Sequence, residues 1–330
     1  MFSIFTRYLM KVLNTHPKIS IVTISYNQSK YLEDTILSVL NQNYPNLEYI
    51  IIDGGSNDGS VDIIKKYAHR LHYWVSEPDN GQYHAVQKGF SKCTGEILAW
   101  INSDDKYLPT AFETVAEVFK VFPDVNWLMG IPGEFTENGL AINRISLPWA
   151  RWSKHRFLTN DFQFIQQEST FWRKKVWEEA GGKMDTSVKY AGDMELWARF
   201  FRKEKLYTVT SNLAGFRHRN ENQISKTFAD EYLTECCAVV KRERELLNSS
   251  QKAGRILRQI LKFFLSPFFF LDIPVCRELY RVVFEIPPVI IFDFSISAFL
   301  MGNNYIKMPP LVLGRWLIQK KPRRIKQKND

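Results

Sequence analysis

Two adjacent carboxylates, Asp104 and Asp105, follow an apolar run that is typical of a buried strand. Adjacent carboxylates repel each other, so a strand end that holds both is destabilised unless a cation binds there. Carboxylate oxygens are ligands that Mg²⁺ and Mn²⁺ accept, usually together with phosphate oxygens of a substrate. The pair therefore indicates a divalent-metal site. A second interpretation is that the two residues cap the helix that begins near Pro109.

A short glycine-rich segment, residues 53–60 (DGGSNDGS), lies between a predicted strand and a predicted helix. It lacks the G-x-G-x-x-G spacing of a dinucleotide site, and no Walker-type lysine follows it. The carboxylate of Asp53 could accept hydrogen bonds from a ribose or from a base N–H, which favours a nucleotide contact. The other interpretation is a tight turn in which Gly54, Gly55 and Gly59 provide positive φ angles.

Strands and helices alternate along the first part of the chain. This order predicts an α/β fold with a mostly parallel sheet flanked by helices. The predicted strands are residues 19–25, 49–52, 72–75, 96–101 and 125–129. In open parallel sheets, ligands bind at the carboxyl ends of the strands. We therefore expect the polar residues that follow the first four strands to line one crevice.

After about residue 130, the regular alternation of strands and helices no longer continues. Asn138-Gly139, inside residues 134–145, predicts a β-hairpin. Two apolar segments lie near the C-terminus, residues 256–271 and 286–301, and charges or prolines interrupt both. Neither reaches the roughly 20 apolar residues that a membrane span needs. We expect both segments to lie against a membrane surface; the alternative is that they pack on the domain or on a partner.

The charge of the chain is distributed unevenly. Its 44 Lys and Arg residues exceed its 35 Asp and Glu residues, which gives a formal net charge of +9. The excess lies in residues 251–330, which hold 14 basic and 5 acidic residues, whereas the first 250 residues hold 30 of each. Because the first 250 residues carry no net charge, they are not attracted to nucleic acid through their overall charge, and no nucleic-acid partner is expected. The basic, apolar tail predicts contact with an anionic membrane surface through residues 251–330.

Two further features bear on localisation. The four cysteines lack metal-ligand spacing and predict reduced thiols in a cytoplasmic protein. Residues 1–13 are apolar but contain Arg7 and Lys11, and no small-residue cleavage site follows, so we expect a leader segment over residues 1–17 that is not a secretory signal. Together with the basic tail, these features predict a cytoplasmic protein bound peripherally at the inner face of the membrane.

Four motifs occur in one order along the chain, and together they resemble the family 2 glycosyltransferases. They are residues 21–27 (IVTISYN), 52–60 (IDGGSNDGS), 76–81 (SEPDNG) and 98–105 (LAWINSDD). A looser continuation over residues 167–173 and 192–199 extends the resemblance to about residue 225. The resemblance implies a GT-A fold, that of the nucleotide-diphospho-sugar transferases.

The resemblance also implies a domain organisation. Residues 1–17 form the leader, residues 18–225 form the GT-A domain, and residues 226–330 form a helical, basic and amphipathic C-terminal region. Within the GT-A domain, residues 18–130 form the nucleotide-sugar side and residues 131–225 form the acceptor side.

The matching positions imply which residues bind the nucleotide-sugar donor. The base and ribose are lined by Ser25, Tyr26 and Asn27, and the uracil or ribose is faced by Asp53. The diphosphate is approached by Asp79, Gly81, Gln82 and Lys88, and the ribose or the metal is contacted by Asp104.

The resemblance implies that Mn²⁺ or Mg²⁺ is the cofactor. Asp105 matches the direct metal ligand, Asp104 lies beside it as a second ligand, and His218 is a further group that approaches the metal or the diphosphate. The carboxylate motif departs from the family at Asn102, where many members carry a third Asp, and the following helix departs at Gln87, where Asn is frequent. Either departure could alter donor preference.

Asp193 matches the catalytic base of the family. Inversion by a single displacement needs one base that accepts the proton of the attacking hydroxyl. Considered without the resemblance, Asp193 could equally be the N-cap of a helix over residues 193–201. Glu195, two residues further on, is the second candidate for the base.

The implied activity is that of a metal-dependent, inverting glycosyltransferase of hexosyltransferase type. It would transfer a sugar from a nucleotide sugar, with UDP as the expected nucleotide, to a hydroxyl of a glycan or lipid-linked acceptor in polysaccharide or glycoconjugate biosynthesis. A nucleotidyltransferase is an alternative, but residues 25–28 lack the Gly-rich basic loop that normally follows its first strand. A catalytically inactive, membrane-bound protein that binds sugar nucleotides or glycans is the third hypothesis.

Overall fold

A mixed β-sheet flanked by helices forms the centre of the molecule in a computed structural model. The structure describes residues 16–142, 152–160, 165–221, 223–270 and 274–302. Within these residues, the strands are β1 (Ile19–Ser25), β2 (Leu47–Asp53), β3 (Tyr73–Ser76), β4 (Ile97–Asn102), β5 (Lys106–Tyr107), β6 (Trp127–Met129), β7 (Gly133–Phe135), β8 (Ala141–Ile142), β9 (Thr170–Arg173), β10 (Leu206–Val209), β11 (Ala214–Arg217), β12 (Val289–Asp293) and β13 (Ala298–Gly302). The helices in the same ranges are α1 (Ser29–Leu40), α2 (Ser60–Tyr67), α3 (Gln82–Phe90), α4 (Ala111–Val121), α5 (Lys154–Phe157), α6 (Lys174–Glu179), α7 (Gly192–Phe200), α8 (Ile224–Thr227), α9 (Ala229–Glu245), α10 (Ser249–Phe270) and α11 (Pro274–Val283).

In the described part of the chain, the large sheet has nine strands in the order β13-β12-β10-β6-β9-β4-β1-β2-β3. Strands β4, β1, β2 and β3 are parallel, and β9 runs antiparallel between β4 and β6. Ser25 pairs with Asp53, and Asp53 pairs with Ser76, so these strand ends lie at one edge of the sheet. The predicted α/β class with a largely parallel sheet is confirmed.

Helices cover both faces of the sheet, and every residue of β1 is buried as a result. On one face, Ile21 and Ile51 belong to a core shared with α1, α2 and α4. On the other face, Val22 and Ile50 belong to a core shared with α3 and α7. Gly89 lets α3 approach β1 closely, because a Cβ atom at this position would lie 2.3 Å from Cγ1 of Val22. A strand buried on both faces explains the nearly continuous apolar run in the sequence.

A smaller sheet, with the order β5-β11-β7-β8 among the described residues, borders the end of β4. Its β7–β8 pair is the predicted hairpin. The Thr136 N–H donates to the Leu140 carbonyl at 2.8 Å, and Gly139 turns the chain with a φ angle of 79°. Because β5 directly follows Asp104 and Asp105 and pairs with β11, this sheet lies against the predicted metal site.

The C-terminal region is helical over α9, α10 and α11, and the described residues then form the β12–β13 hairpin. Strand β12 pairs in parallel with β10, and its Val289 and Ile290 side chains are buried. The expectation that residues 286–301 lie as a segment against a membrane is therefore wrong for β12, because this β-branched run is buried by extending the sheet. Among the residues with described coordinates, no helix has both the length and the apolar composition that crossing a bilayer requires.

Candidate active site

The loop that carries Asp104 and Asp105 is held from two sides. The Thr35 hydroxyl of α1 donates hydrogen bonds to the carbonyls of Ser103, at 2.9 Å, and Asp105, at 2.7 Å. From β11, Nε of Arg217 donates to the Asp104 carbonyl at 2.6 Å. These bonds fix the backbone, so the directions of the two carboxylates are set by the packing of α1 and β11.

The two aspartate side chains differ in their surroundings. Asp105 is 1% exposed; its Oδ1 accepts a hydrogen bond from the Arg217 N–H at 2.9 Å, and its Oδ2 has no hydrogen-bond partner among the described residues. Oδ2 of Asp104 lies 3.2 Å from Nε of Arg219, and 16% of the Asp104 side chain is exposed. Burial raises the pKa of Asp104, and burial together with repulsion from Asp104 and Glu168 raises the pKa of Asp105 well above its ordinary value.

This arrangement fits a divalent cation. A buried carboxylate oxygen without a hydrogen bond is costly, and a bound cation would remove that cost. Mg²⁺ is commonly held by one or two carboxylates completed by substrate phosphates, and Asp105 and Asp104 can provide that pair. Among the residues that the structure describes, three or more His, Cys, Asp or Glu side chains are nowhere grouped as a metal site. A cation here would therefore depend on further oxygens from a substrate.

Glu168 is a third carboxylate at this site, and sequence reasoning assigned it no role. It is 3% exposed, and its Oε1 has no hydrogen-bond partner in the described structure. Burial raises its pKa to about 8, with further increases from the charges of Asp104, Asp193 and Glu134. Glu168 is therefore close enough to both Asp104 and Asp193 for each charge to act on it. A lone acidic residue directly before the apolar strand β9 is the signal that the sequence offered.

The neighbours of Glu168 hold it in place. The side-chain amide of Gln167 donates to the Trp100 carbonyl of β4, and the Ser169 hydroxyl donates to the Ala214 carbonyl of β11 at 3.1 Å. The short helical turn over Gln167–Ser169 thus connects the large sheet to the small one. Its position between the two sheets places Glu168 in the region where their strand ends meet.

Asp193 is the second residue of α7, and Ala191 is the N-cap of this helix, so the interpretation of Asp193 as the cap is wrong. The Asp193 Oδ1 accepts a hydrogen bond from the Met194 N–H at 2.8 Å. Burial raises the pKa of Asp193 to about 6, although hydrogen bonds to the carboxylate oppose that increase. A carboxylate with a pKa near the working pH is suited to accept a proton. 

Glu195, the second candidate base, is fully engaged elsewhere. Its carboxylate accepts hydrogen bonds from the guanidinium groups of Arg199, at 2.7 Å, and Arg242, at 2.6 Å. The side chain is 2% exposed. A buried carboxylate that is bound by two arginines connects α7 to α9, and these contacts leave it occupied by groups of its own chain.

The Asp53 carboxylate is bound by groups of its own chain. Its side chain is completely buried and accepts four hydrogen bonds, from the N–H groups of Gly55 and Ser56 and from the hydroxyls of Ser56 and Ser76. The carboxylate therefore holds its own loop in shape, and its contact with a uracil or ribose stays a prediction. Asn27 is used in a similar way: its Oδ1 accepts a hydrogen bond from the Asn57 N–H at 3.0 Å. Both side chains shape the glycine-rich loop.

Tyr26 and Asp79 lie together at the surface above this loop. A Cβ atom at Gly54 would lie 3.0 Å from Oδ2 of Asp79 and 3.2 Å from the Tyr26 ring, so glycine is required for their approach. The Tyr26 side chain is 63% exposed. Ser25, at the end of β1, is buried, and its hydroxyl has no hydrogen-bond partner among the described residues. The Tyr26 ring is therefore accessible to a ligand, with Asp79 beside it, whereas the Ser25 hydroxyl is buried.

The remaining predicted donor residues lie on or beside α3. Gly81, with a φ angle of 107°, donates its N–H to Oδ1 of Asp79 at 2.8 Å. Gln82 donates to the Lys189 carbonyl at 3.3 Å, which connects α3 to the segment before α7. Lys88 forms an ion pair with Glu77, at 2.7 Å. The structure thus brings Gly81 and Gln82 next to Asp79 and pairs Lys88 with a carboxylate of this chain.

His218 is paired with Glu134 rather than with the two aspartates. Nε2 of His218 lies 2.9 Å from Oε2 of Glu134. The neighbouring residues Arg217 and Arg219 are the ones that contact the Asp104-Asp105 loop. Alternation along a strand explains the difference, because successive side chains point to opposite faces.

Comparisons with known proteins agree with this architecture. A solved structure of Staphylococcus aureus TarS, in complex with UDP-GlcNAc, superposes with a TM-score of 0.59 at 15% sequence identity and covers 81% of this chain and 79% of that one. At this identity the likeness concerns the fold. The fold is therefore GT-A-like, with a largely parallel sheet flanked by helices.

Sequence comparisons identify a domain in the first part of the chain. The profile described as Glycosyl transferase family 2 matches residues 20–177, and this chain carries a domain of that family. An uncharacterized glycosyltransferase of Rickettsia typhi is 26% identical over 201 residues, which is 60% of this chain and 63% of that protein, so the match spans less than two thirds of the relative. TuaG of Bacillus subtilis, whose name associates it with teichuronic acid biosynthesis, is 37% identical over 107 residues, 32% of this chain and 42% of that protein.

Proposed function

We propose that the protein is a metal-dependent, inverting glycosyltransferase that transfers a hexosyl group from a UDP-sugar to a hydroxyl of a glycan or lipid-linked acceptor. One observation carries the proposal: Glu168 lies within electrostatic reach of both Asp104 and Asp193, which supports a single site that contains all three carboxylates. Displacement at a sugar carbon needs a leaving group and a base on opposite faces of that carbon. We assign Asp104 to the face of the leaving group and Asp193 to the face of the base.

The residues of the chain then divide the reaction between them. A divalent cation held by Asp105 and Asp104 would neutralise the charge of the departing diphosphate. The carboxylate of Asp193 accepts the proton of the acceptor hydroxyl. At the same time the oxygen of that hydroxyl bonds to the anomeric carbon, and the bond from this carbon to the diphosphate oxygen breaks. With a pKa of about 6, Asp193 is mainly ionised at neutral pH and can serve as a base.

The donor side is supported by the surface around Tyr26. Its exposed ring offers a flat apolar face on which a base could stack, and Asp79 beside it can accept hydrogen bonds from a base or a ribose. TarS, which shares this fold, has been solved with UDP-GlcNAc bound, which favours UDP as the nucleotide here. The name of TuaG favours a surface polysaccharide as the product class.

A binding screen tests the proposal. We expect UDP with Mn²⁺ to raise the melting temperature more than GDP, CDP or ADP with Mn²⁺, and UDP with EDTA to have little effect. Ligand at 100 times its Kd adds about 2.7 kcal/mol to the free energy of unfolding. The measurement is thermal denaturation followed by fluorescence, with UDP release from UDP-sugars as the second readout.

The outcomes of this screen separate the three hypotheses. UDP binding together with UDP release supports the glycosyltransferase. Binding of UDP-sugars without any release supports the inactive binding protein. Release of pyrophosphate from a nucleoside triphosphate and a sugar phosphate supports the nucleotidyltransferase. No stabilisation by any nucleotide contradicts both enzymes and the binding of sugar nucleotides, and leaves only a glycan-binding protein.

We further propose that the protein binds peripherally to the inner face of the membrane through α10. Five apolar side chains form one stripe along this helix at spacings of one, three and four residues, and all are exposed. They are Ile256, Leu257, Ile260, Phe263 and Phe264. Basic residues occur in the same helix, at Lys252, Arg255 and Lys262, and would attract anionic lipid headgroups. An apolar stripe bordered by basic residues is typical of helices that lie in the bilayer interface.

Replacing both Phe263 and Phe264 by Ser should weaken binding to vesicles of phosphatidylglycerol and phosphatidylcholine. Their rings are 78% and 61% exposed, so their removal should not disturb the core. Losing even part of their burial in lipid costs at least about 2 kcal/mol, or about a 30-fold lower partition coefficient. Vesicle co-sedimentation measures the effect. Leu140→Ser, which removes an exposed apolar side chain from the β7–β8 hairpin, is the control and should bind like the wild type. Equal binding by all three proteins would contradict the proposal.

A further inference from the structure

The three residues that precede α7 are bound by a single carboxylate from the C-terminal region. Glu235 of α9 accepts hydrogen bonds from the N–H groups of Lys189 at 3.1 Å, Tyr190 at 2.8 Å and Ala191 at 2.8 Å. Asp193 follows two residues later, in the first turn of α7. One side chain of α9 therefore fixes the backbone from which Asp193 projects.

The same segment is held from the opposite side by α3. The Tyr83 hydroxyl donates to the Tyr190 carbonyl at 2.8 Å, and Gln82 donates to the Lys189 carbonyl. A Cβ atom at Gly192 would lie 2.6 Å from the Tyr83 ring, so glycine allows that ring to lie directly against the start of α7. The N–H groups of the segment are thus satisfied by α9, and two of its carbonyls by α3.

Helix α9 is firmly attached to α7. Cys236 and Val240 are buried in the same core as Leu196 and Trp197 of α7. Arg242 of α9 also donates a hydrogen bond to the Glu195 carboxylate. Because both helices share one core, α9 can hold Glu235 at a constant position relative to α7. This helix lies beyond residue 177, where the family match ends.

We propose that Glu235 is a positioning residue that sets the orientation of Asp193 through the backbone of residues 189–191. The inference rests on the proposed role of Asp193 as the base. It assigns to the C-terminal region a direct part in building the site. In an enzyme, a displacement of about 1 Å can lower the rate by about 100-fold, so a carboxylate that holds three consecutive N–H groups has a large effect on turnover.

Several titratable groups face Asp193 from the elements packed around it, and two of them, Glu235 and Glu168, are carboxylates. Tyr83 faces it from α3, Tyr232, Cys236 and Glu235 from α9, and Glu168 from the turn before β9. The negative charge of Glu235 raises the pKa of Asp193. Neutralising Glu235 should therefore lower that pKa and move the acid limb of the pH–rate profile to lower pH.

The test compares Glu235→Ala and Glu235→Gln with Glu231→Gln, a neutral substitution at an exposed glutamate one turn earlier on α9. The assay is UDP release from UDP-GlcNAc, UDP-glucose or UDP-galactose, whichever the wild-type protein uses fastest. We expect kcat of Glu235→Ala to fall by about 10- to 100-fold with KM for the donor unchanged. In Glu235→Gln, one amide oxygen still accepts hydrogen bonds, so kcat should recover in part while the acid limb moves to lower pH. Glu231→Gln should behave like the wild type.

A second readout does not depend on turnover. Hydrogen exchange in the full-length protein should accelerate in peptides covering residues 189–194 of Glu235→Ala and stay unchanged in Glu231→Gln. A wild-type kcat in Glu235→Ala would overturn the inference. Hydrogen exchange at the wild-type rate in residues 189–194 of this variant would overturn it as well. If Asp193→Asn is inactive while the Glu235 variants keep full activity, only the positioning role fails. If Asp193→Asn keeps full activity, the proposed function itself fails.

Discussion

Asp193→Asn should reduce turnover by about 1,000-fold while leaving UDP binding intact. An asparagine amide has nearly the same shape as the carboxylate but cannot accept the proton of the acceptor hydroxyl, and general-base catalysis contributes about 100- to 10,000-fold. Its Oδ1 can still accept the hydrogen bond from the Met194 N–H, so α7 should remain folded. The measurement is kcat for UDP release, with UDP affinity determined separately by thermal shift in the presence of Mn²⁺.

The pH dependence of the wild type provides a second test of the same residue. Because burial raises the pKa of Asp193 to about 6, kcat/KM should fall as the pH decreases through that value and the base becomes protonated. Asp193→Asn should lack this limb. Asp124→Asn, which neutralises an exposed aspartate, is the matched control and should keep both the rate and the limb. Full turnover in Asp193→Asn would rule out this base.

Asp105→Asn should abolish the Mn²⁺-dependent part of UDP binding and, at the same time, make the metal-free protein more stable. The wild-type carboxylate is buried with one oxygen unpaired, and its pKa is raised well above the ordinary value. An acid whose pKa is higher in the folded state destabilises that state once the pH exceeds its unfolded pKa of about 3.9. Removing the charge should therefore add about 1 to 3 kcal/mol to the free energy of unfolding at neutral pH.

Urea denaturation in EDTA, at acidic and at neutral pH, measures the stability gain of Asp105→Asn. The gain should be present at neutral pH and vanish under strongly acidic conditions, where both states of the wild type are protonated. Thermal shift with UDP, with and without Mn²⁺, measures the loss of metal-dependent binding. Asp62→Asn, on the exposed side of α2, is the control for both measurements. A variant that is less stable than the wild type without metal, yet binds UDP and Mn²⁺ normally, would contradict the proposed metal site.

The central sheet was predictable because its first strands carry a strong local signal. Strands β1, β2 and β4 are apolar on both faces, each ends in polar residues, and their order with the intervening helices permits few arrangements. Asp104 and Asp105 could be placed at the sheet edge for the same reason. The hairpin around Gly139 could also be predicted from the local sequence, because its turn residues determine it.

The rest of the site depends on contacts between distant parts of the chain. The contacts of Glu168, Arg219 and Glu235 were not predicted, because their partners are remote in the sequence. Asp53 was predicted at the correct place, but its hydrogen bonds to the loop were not foreseen, because a carboxylate at a strand end can turn either toward a ligand or into its own loop. Only the packed structure distinguishes these possibilities.

The pairing of β12 with β10 has a practical consequence for how this protein can be shortened. Truncation near residue 225, the boundary expected for the GT-A domain, would remove β12 and leave the hydrogen-bonding groups of β10 open on one side. An unpaired strand margin invites association with other chains. It would also uncover apolar surface that Val289 and Ile290 now shield. Expression of residues 18–225 alone should therefore yield aggregates instead of an isolated catalytic module.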